Sequence, residues 1–255
     1  MWKKHLVMEK KYIKNKNGVN DMNVFVMKNK REASQKAFEL MKQEMENGAD
    51  VFGLATGSTP EDLYEIMTES DTDFSGITSV NLDEYVGLSP EDPQSYHYFM
   101  EKHLFSKKPF KETYVPNGLA EETEESARYN KIIADNPIDL QILGIGTNGH
   151  IGFNEPGASF DSETRKVALV ESTIESNKVY FEHEEDVPRY AYSMGIKSIM
   201  ASKKIILMAF GEHKAEAIKN MIEGPITEDV PASILQRHPN VTVIVDEEAG
   251  SLLKR

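Results

Sequence analysis

Residues 143–157 read Leu-Gly-Ile-Gly-Thr-Asn-Gly-His-Ile-Gly-Phe-Asn-Glu-Pro-Gly, and they hold the side chains best suited to chemistry. His150 can take and give protons near neutral pH. Glu155 can orient the imidazole and set its charge. The glycines before it, Gly146 among them, let a ligand approach the backbone closely. Such a pocket suits the opening of a sugar ring, in which a base removes the anomeric hydroxyl proton while the ring oxygen gains one. The plainer alternative is a structural glycine turn with a surface histidine. No His-x-x-x-His spacing points to a metal. No Gly-x-Ser-x-Gly elbow points to a serine hydrolase.

Two further stretches carry polar groups just after apolar runs. In residues 53–60, Gly-Leu-Ala-Thr-Gly-Ser-Thr-Pro, small residues lead into a helix start. Gly57 opens the backbone, Thr56, Ser58 and Thr59 offer hydroxyls, and the helix end adds free N–H groups. The set reads equally as an anion cradle or as an ordinary turn with Ser58 or Thr59 as the helix cap. It is neither a P-loop nor a dinucleotide glycine motif. Residues 81–88, Asn-Leu-Asp-Glu-Tyr-Val-Gly-Leu, place Asp83 and Glu84 at the end of an apolar strand. A carboxylate against apolar walls gains a raised pKa and can move protons between carbons. The same pair could serve a glycosidase or simply a solvated loop.

The elements that must carry these groups alternate. Strands are predicted over 24–27, 51–55, 79–82, 140–146, 204–210 and 241–245. Helices are predicted over 32–46, 61–67, 95–105, 126–134 and 213–222, with a short helix after the last strand. Near-continuous apolar strands between amphipathic helices predict an α/β fold: a Rossmann-like, doubly wound, mainly parallel sheet with helices on both faces, in one domain. Ligands of such sheets bind at the carboxyl ends of strands, where all three stretches fall.

Composition narrows the class. The chain has 255 residues, 39% of them hydrophobic, enough for one large core. A net charge of -13 argues against a general nucleic-acid surface. No apolar run approaches the roughly 20 residues of a membrane span. The absence of cysteine fits a reducing, cytoplasmic setting. Residues 1–21 are Lys-rich with too short an apolar stretch for a signal peptide. They are expected to be a disordered extension or an upstream-start artefact, with the functional domain over 22–255.

In this order, residues 53–60, 81–88 followed by Pro93-Gln94-Ser95-Tyr96-His97, and 143–157 resemble the glucosamine-6-phosphate deaminase family. Val230-Pro231-Ala232-Ser233 and His238-Pro239 add to a likeness that runs from about Met22 to near the C-terminus. The Phe-Asn-Glu-Pro continuation separates it from 6-phosphogluconolactonases. The resemblance implies a cofactor-free, metal-free reaction of an aminosugar phosphate, glucosamine 6-phosphate, with water to give fructose 6-phosphate and ammonia. It implies Asp83 as the acid/base between C2 and C1, His150 as the ring-opening base, and Glu155 and Asn148 as its supports. It also implies the 56–59 turn, Gly146 and Lys214 as substrate contacts.

Some members have Asp in place of Asn148, and an amide orients but does not relay a proton. Members commonly carry an Arg where this chain has Val179, and Lys178 is the neighbouring cation that could replace it. Basic residues that follow the counterpart of Arg165 in activated hexamers are here Val167 and Ala168, so that activation is not expected. Monomer and homo-oligomer stay open. The alternatives are a galactosamine-6-phosphate isomerase, a lactonase, or a non-catalytic sugar-phosphate sensor.

Overall fold

The computed structural model describes residues 9–13, 22–178, 181, 183 and 186–254. Eight strands form the main sheet: β1 (Glu9–Ile13), β2 (Met22–Met27), β3 (Val51–Leu54), β4 (Thr78–Asn81), β6 (Glu112–Tyr114), β7 (Leu140–Leu143), β10 (Lys204–Ala209) and β11 (Val241–Asp246). Their order is β1-β2-β11-β10-β7-β3-β4-β6. All pair in parallel except β1, which lies antiparallel on β2 at one edge. Those five residues are the part of the 1–21 extension that is described; the expectation for the rest lies outside the described residues.

Strands β3 and β7 are buried along their whole length, as a sheet covered on both faces requires. One face packs against α1 (Lys30–Glu46), α2 (Glu61–Glu69) and α3 (Tyr96–Met100), with Phe38, Met41, Leu63, Met67 and Met100 in its core. The other packs against α4 (Glu122–Asp135), α6 (Ile196–Met200) and α7 (Ala215–Glu223) through Tyr129, Ile199, Ile218 and Met221. Helix α1 starts at Asn29, whose side chain accepts from the Glu32 N–H at 2.9 Å, and ends at Asn47 before Gly48.

Strands β3 and β7 are neighbours whose continuations leave in opposite directions. From β3 the chain runs through α2 outward to β4. From β7 it runs through α6, on the other face, to β10. The crevice at the carboxyl ends of two such strands is where an open sheet leaves room for a ligand.

A second sheet of three antiparallel strands, β5 (Asp83–Tyr85), β9 (Tyr190–Ser193) and β8 (Arg165–Ala168), sits beside that crevice. The sequence reading does not contain it, nor the helix α5 (Glu171–Asn177) after β8. Asp83 and Glu84 therefore begin a new strand instead of ending an old one. The helix expected over 95–105 is α-helical to Met100 and continues as a π-helical turn over Glu101–Phe105. The short helix expected after β11 is a series of turns, because the bonds Ser251 N–H to Glu248 and Leu253 N–H to Gly250 close three-residue steps. Among the described residues no helix is long and apolar enough to cross a membrane.

Candidate active site

A cavity of about 590 Å³ opens at the carboxyl ends of β3 and β7. Ten of the sequence-singled residues meet there or directly behind it. Thr56, Gly57, Ser58, Thr59, Asp83, Gly146, Asn148, His150 and Lys214 line it. Glu155 lies behind His150.

The turn after β3 is built by Gly57, whose φ of +87° is a conformation side chains disfavour. Helix α2 begins at Pro60 with no side-chain cap. Ser58 and Thr59 are therefore not spent as caps, which removes the plainer of the two readings of this turn. Lys30 holds it from outside: its ammonium donates to the Ser58 carbonyl at 2.8 Å and pairs with Asp62 at 2.9 Å. Lys214 reaches in from the turn before α7 and donates to the Ile145 carbonyl at 2.8 Å. Burial lowers its pKa. Its turn is held by the Asp246 carboxylate, which accepts the Gly211 N–H at 3.0 Å.

The turn after β7 brings His150 back over Gly146, where any Cβ would lie 2.3 Å from the imidazole. Glycine is required here by contact, not by dihedral. The His150 Nδ1 is 3.1 Å from Glu155 Oε2. That oxygen also accepts the Asn148 amide at 2.8 Å, while Asn148 Oδ1 accepts the His150 N–H at 3.2 Å. Burial alone would raise the Glu155 carboxyl. Hydrogen bonds from His150, Thr173 and Asn148 outweigh it and hold the group below its usual range. Asn148 thus orients both partners, as an amide can. Behind this turn the Ala232 N–H donates to the Gly149 carbonyl at 2.9 Å, so the 230–233 stretch buttresses the site and is not part of its lining.

Adjacent Asp83 and Glu84 have opposite fates because successive strand side chains point to opposite faces. Glu84 accepts the backbone N–H groups of Tyr85, Tyr96 and His97 at 2.8–2.9 Å and caps the start of α3. Its pKa is nonetheless pushed up to about 7, chiefly by burial. Asp83 faces the cavity with 6% of its surface exposed. Burial, then the charge of Glu84, pushes its pKa up to about 8. Leu82 and Ile145 line the cavity near it, whereas Leu54 lies in the sheet core on the α1–α2 face.

Lys178 is not brought to the cavity lining and pairs with Glu175 instead. Val179 lies outside the described residues. Sequence reasoning missed Thr173, whose hydroxyl donates to Glu155 Oε1 at 2.5 Å. It also missed His103, His213 and the aromatic wall of Tyr85, Tyr96 and Phe153. In that wall the Tyr96 and Phe153 rings lie nearly parallel at 6.1 Å. Tyr96 and Phe153 stand inside the recognised motifs, which was their available signal. Thr173 has no flanking motif or apolar period.

Comparison with known proteins shows the family of the chain. The family profile described as glucosamine-6-phosphate isomerases/6-phosphogluconolactonase matches residues 21–244. Glucosamine-6-phosphate deaminase of Lacticaseibacillus paracasei is 63% identical over 235 residues, which is 92% of this chain and all of that protein. The protein of the same name from Enterococcus faecalis is 64% identical, covering 91% of this chain and all of its own. The solved structure of a monomeric glucosamine-6-phosphate deaminase superposes with a TM-score of 0.87 at 43% identity, covering 90% of this chain and 99% of that one. The 6-phosphogluconolactonase of Trypanosoma brucei, at 15% identity and a TM-score of 0.75, over 96% of this chain and all of that one, shares the fold.

Proposed function

Because the chain belongs to the family of glucosamine-6-phosphate isomerases and 6-phosphogluconolactonases, we propose that it is a glucosamine-6-phosphate deaminase. It converts glucosamine 6-phosphate and water to fructose 6-phosphate and ammonia. The observation that carries this reading is a pair of proton-transfer groups with different environments facing one cavity. Asp83 is buried and raised to about 8, and His150 is held by an ionised Glu155.

The roles follow from the geometry. The backbone and hydroxyls of the 56–59 turn, together with Lys214, receive the phosphate. A phosphate dianion in an acidic protein needs such a local site. His150 takes the proton of the anomeric hydroxyl as the ring oxygen is protonated, and the sugar opens to an aldehyde at C1. Asp83, ionised, removes the proton from C2 and returns it to C1 through an enolamine, while a proton passes from the amine nitrogen to the C1 oxygen, leaving an imine at C2. Water adds to that carbon, the C–N bond breaks, and ammonia leaves. A raised pKa makes Asp83 a stronger base than an exposed carboxylate, which abstraction from carbon requires. Limited hydration by Leu82, Ile145 and Phe153 maintains that state. A phosphorylated metabolite as substrate supports a cytoplasmic setting.

The test is release of ammonia from purified protein with glucosamine 6-phosphate, fructose 6-phosphate being measured in parallel. Galactosamine 6-phosphate and 6-phosphogluconolactone serve as comparison substrates. Equal amounts of both products from the glucosamine compound alone are expected. Saturable binding without turnover would instead make the chain a sensor.

A further inference from the structure

The Glu155 carboxylate has two oxygens with separate duties. Oε2 serves the ring-opening pair, with His150 Nδ1 at 3.1 Å and the Asn148 amide at 2.8 Å. Oε1 accepts the Thr173 hydroxyl at 2.5 Å. Thr173 is 7% exposed and lines the cavity. It sits in the first turn of α5, on a part of the chain that joins neither face of the main sheet. Helix α5 is held instead by a small cluster in which Leu169 and Ile174 pack with Tyr85, Phe153 and Val187. A β-branched threonine in a helix has few χ1 choices, so the position of α5 sets where this hydroxyl points.

We propose that Thr173 is a positioning residue for the ring-opening step, and that it makes the docking of α5 a condition for an aligned Glu155–His150 pair. A carboxylate held only through Oε2 can turn about its terminal torsion, which is broad for a glutamate. With Oε1 anchored as well, the plane is fixed and Oε2 stays on the Nδ1 side of the imidazole. Nε2 is then left to face the substrate. Removing the hydroxyl leaves Oε1 buried without its donor, a penalty larger than the loss of an average hydrogen bond. The inference rests on the deaminase reading above.

The experiment compares the parent enzyme with Thr173→Val, which keeps the shape and removes the donor, and Thr173→Ser, which keeps the donor. Steady-state ammonia release gives kcat and KM for glucosamine 6-phosphate. The His150 Nδ1 proton resonance reports the Glu155 contact directly. Thr173→Val is expected to lower kcat about tenfold or more, leave KM within about twofold, and shift or broaden that resonance. Thr173→Ser is expected to restore both. If Thr173→Val does not fold, Thr173→Ala carries the same comparison against the serine variant. Parental kcat in the valine variant overturns the proposal. So does a serine variant as impaired as the valine one, or a change confined to KM. A parent enzyme that releases no ammonia sinks the deaminase reading itself, a result distinct from all of these.

Discussion

The two sides of the cavity are built on different principles. One side is the row of turns at the carboxyl ends of β3, β7 and β10, which presents backbone N–H groups, hydroxyls, Lys214 and His150. The other is the small antiparallel sheet with α5, which presents Asp83, Tyr85 and the Thr173 hydroxyl, with Phe153 packed against Tyr85. In the proposed reaction the first side binds by geometry, and glycine and helix ends give it close approach and positive potential. The second acts by exclusion, because burial beside Glu84 makes Asp83 hold its proton to about pH 8. The proposed roles thus put binding and carbon chemistry on opposite walls.

Substitutions on the two walls should separate in kinetics. The largest effect is expected from Asp83→Asn, with kcat falling by about 10³-fold while titration still shows substrate binding. Loss of both together would erase the distinction between the walls. In the parent enzyme kcat/KM should rise with pH toward about 8 as Asp83 ionises, and a pH–rate profile checks this. The same substitution should stabilise the fold. The folded value of about 8 lies above the ordinary 3.8, so the proton is held more tightly in the folded chain. That contribution is full below pH 3.8 and is lost as pH rises to about 8, at roughly 1.4 kcal/mol per unit. Asp83→Asn should therefore melt above the parent, by a margin that widens across that range.

Next in size, Lys214→Met on the binding wall should raise KM about tenfold or more with kcat little changed, since hydrogen bonds to charged groups contribute ~1.5–3 kcal/mol. A fall in kcat alone would move Lys214 to the chemical step. Glu84→Gln tests the neighbour that shares a strand with Asp83 and faces away from the cavity. Its three backbone bonds predict a loss of about 1–3 kcal/mol in denaturant stability, with kcat affected far less than by Asp83→Asn. The smallest effect is expected from Lys30→Met, which releases the Ser58 carbonyl from outside. KM should rise about two- to fivefold, as for a half-exposed ion pair worth under ~1 kcal/mol.

The walls also differ in how far the sequence discloses them. The parallel sheet was readable because its strands are apolar runs separated by periodic helices, and each turn after a strand carries its own signature of glycine, hydroxyl or histidine. Those signals are local. The small sheet was not readable. Its strands are Asp-Glu-Tyr, Arg-Lys-Val-Ala and Tyr-Ala-Tyr-Ser, too short and too polar for a period. They become strands through pairing across distance, Asp83 with Ser193 and Arg165 with Ser193. Lys178 shows a related limit: its charge was legible, but at the end of α5 its ammonium pairs with Glu175 and does not line the cavity.

By itself the sequence determined the alternation of strands and helices, the carboxyl-end position of the three polar stretches, and which residue types could move protons. Those properties depend on periodicity and on neighbours along the chain. The resemblance singled out Asp83 over Glu84, but only the tertiary structure supplies the reason, since strand β5 points Asp83 into the cavity and Glu84 away from it. Tertiary structure alone raised Asp83 through burial, and it joined Thr173 to Glu155. Burial and hydrogen bonds between distant segments exist only once the chain has closed on itself.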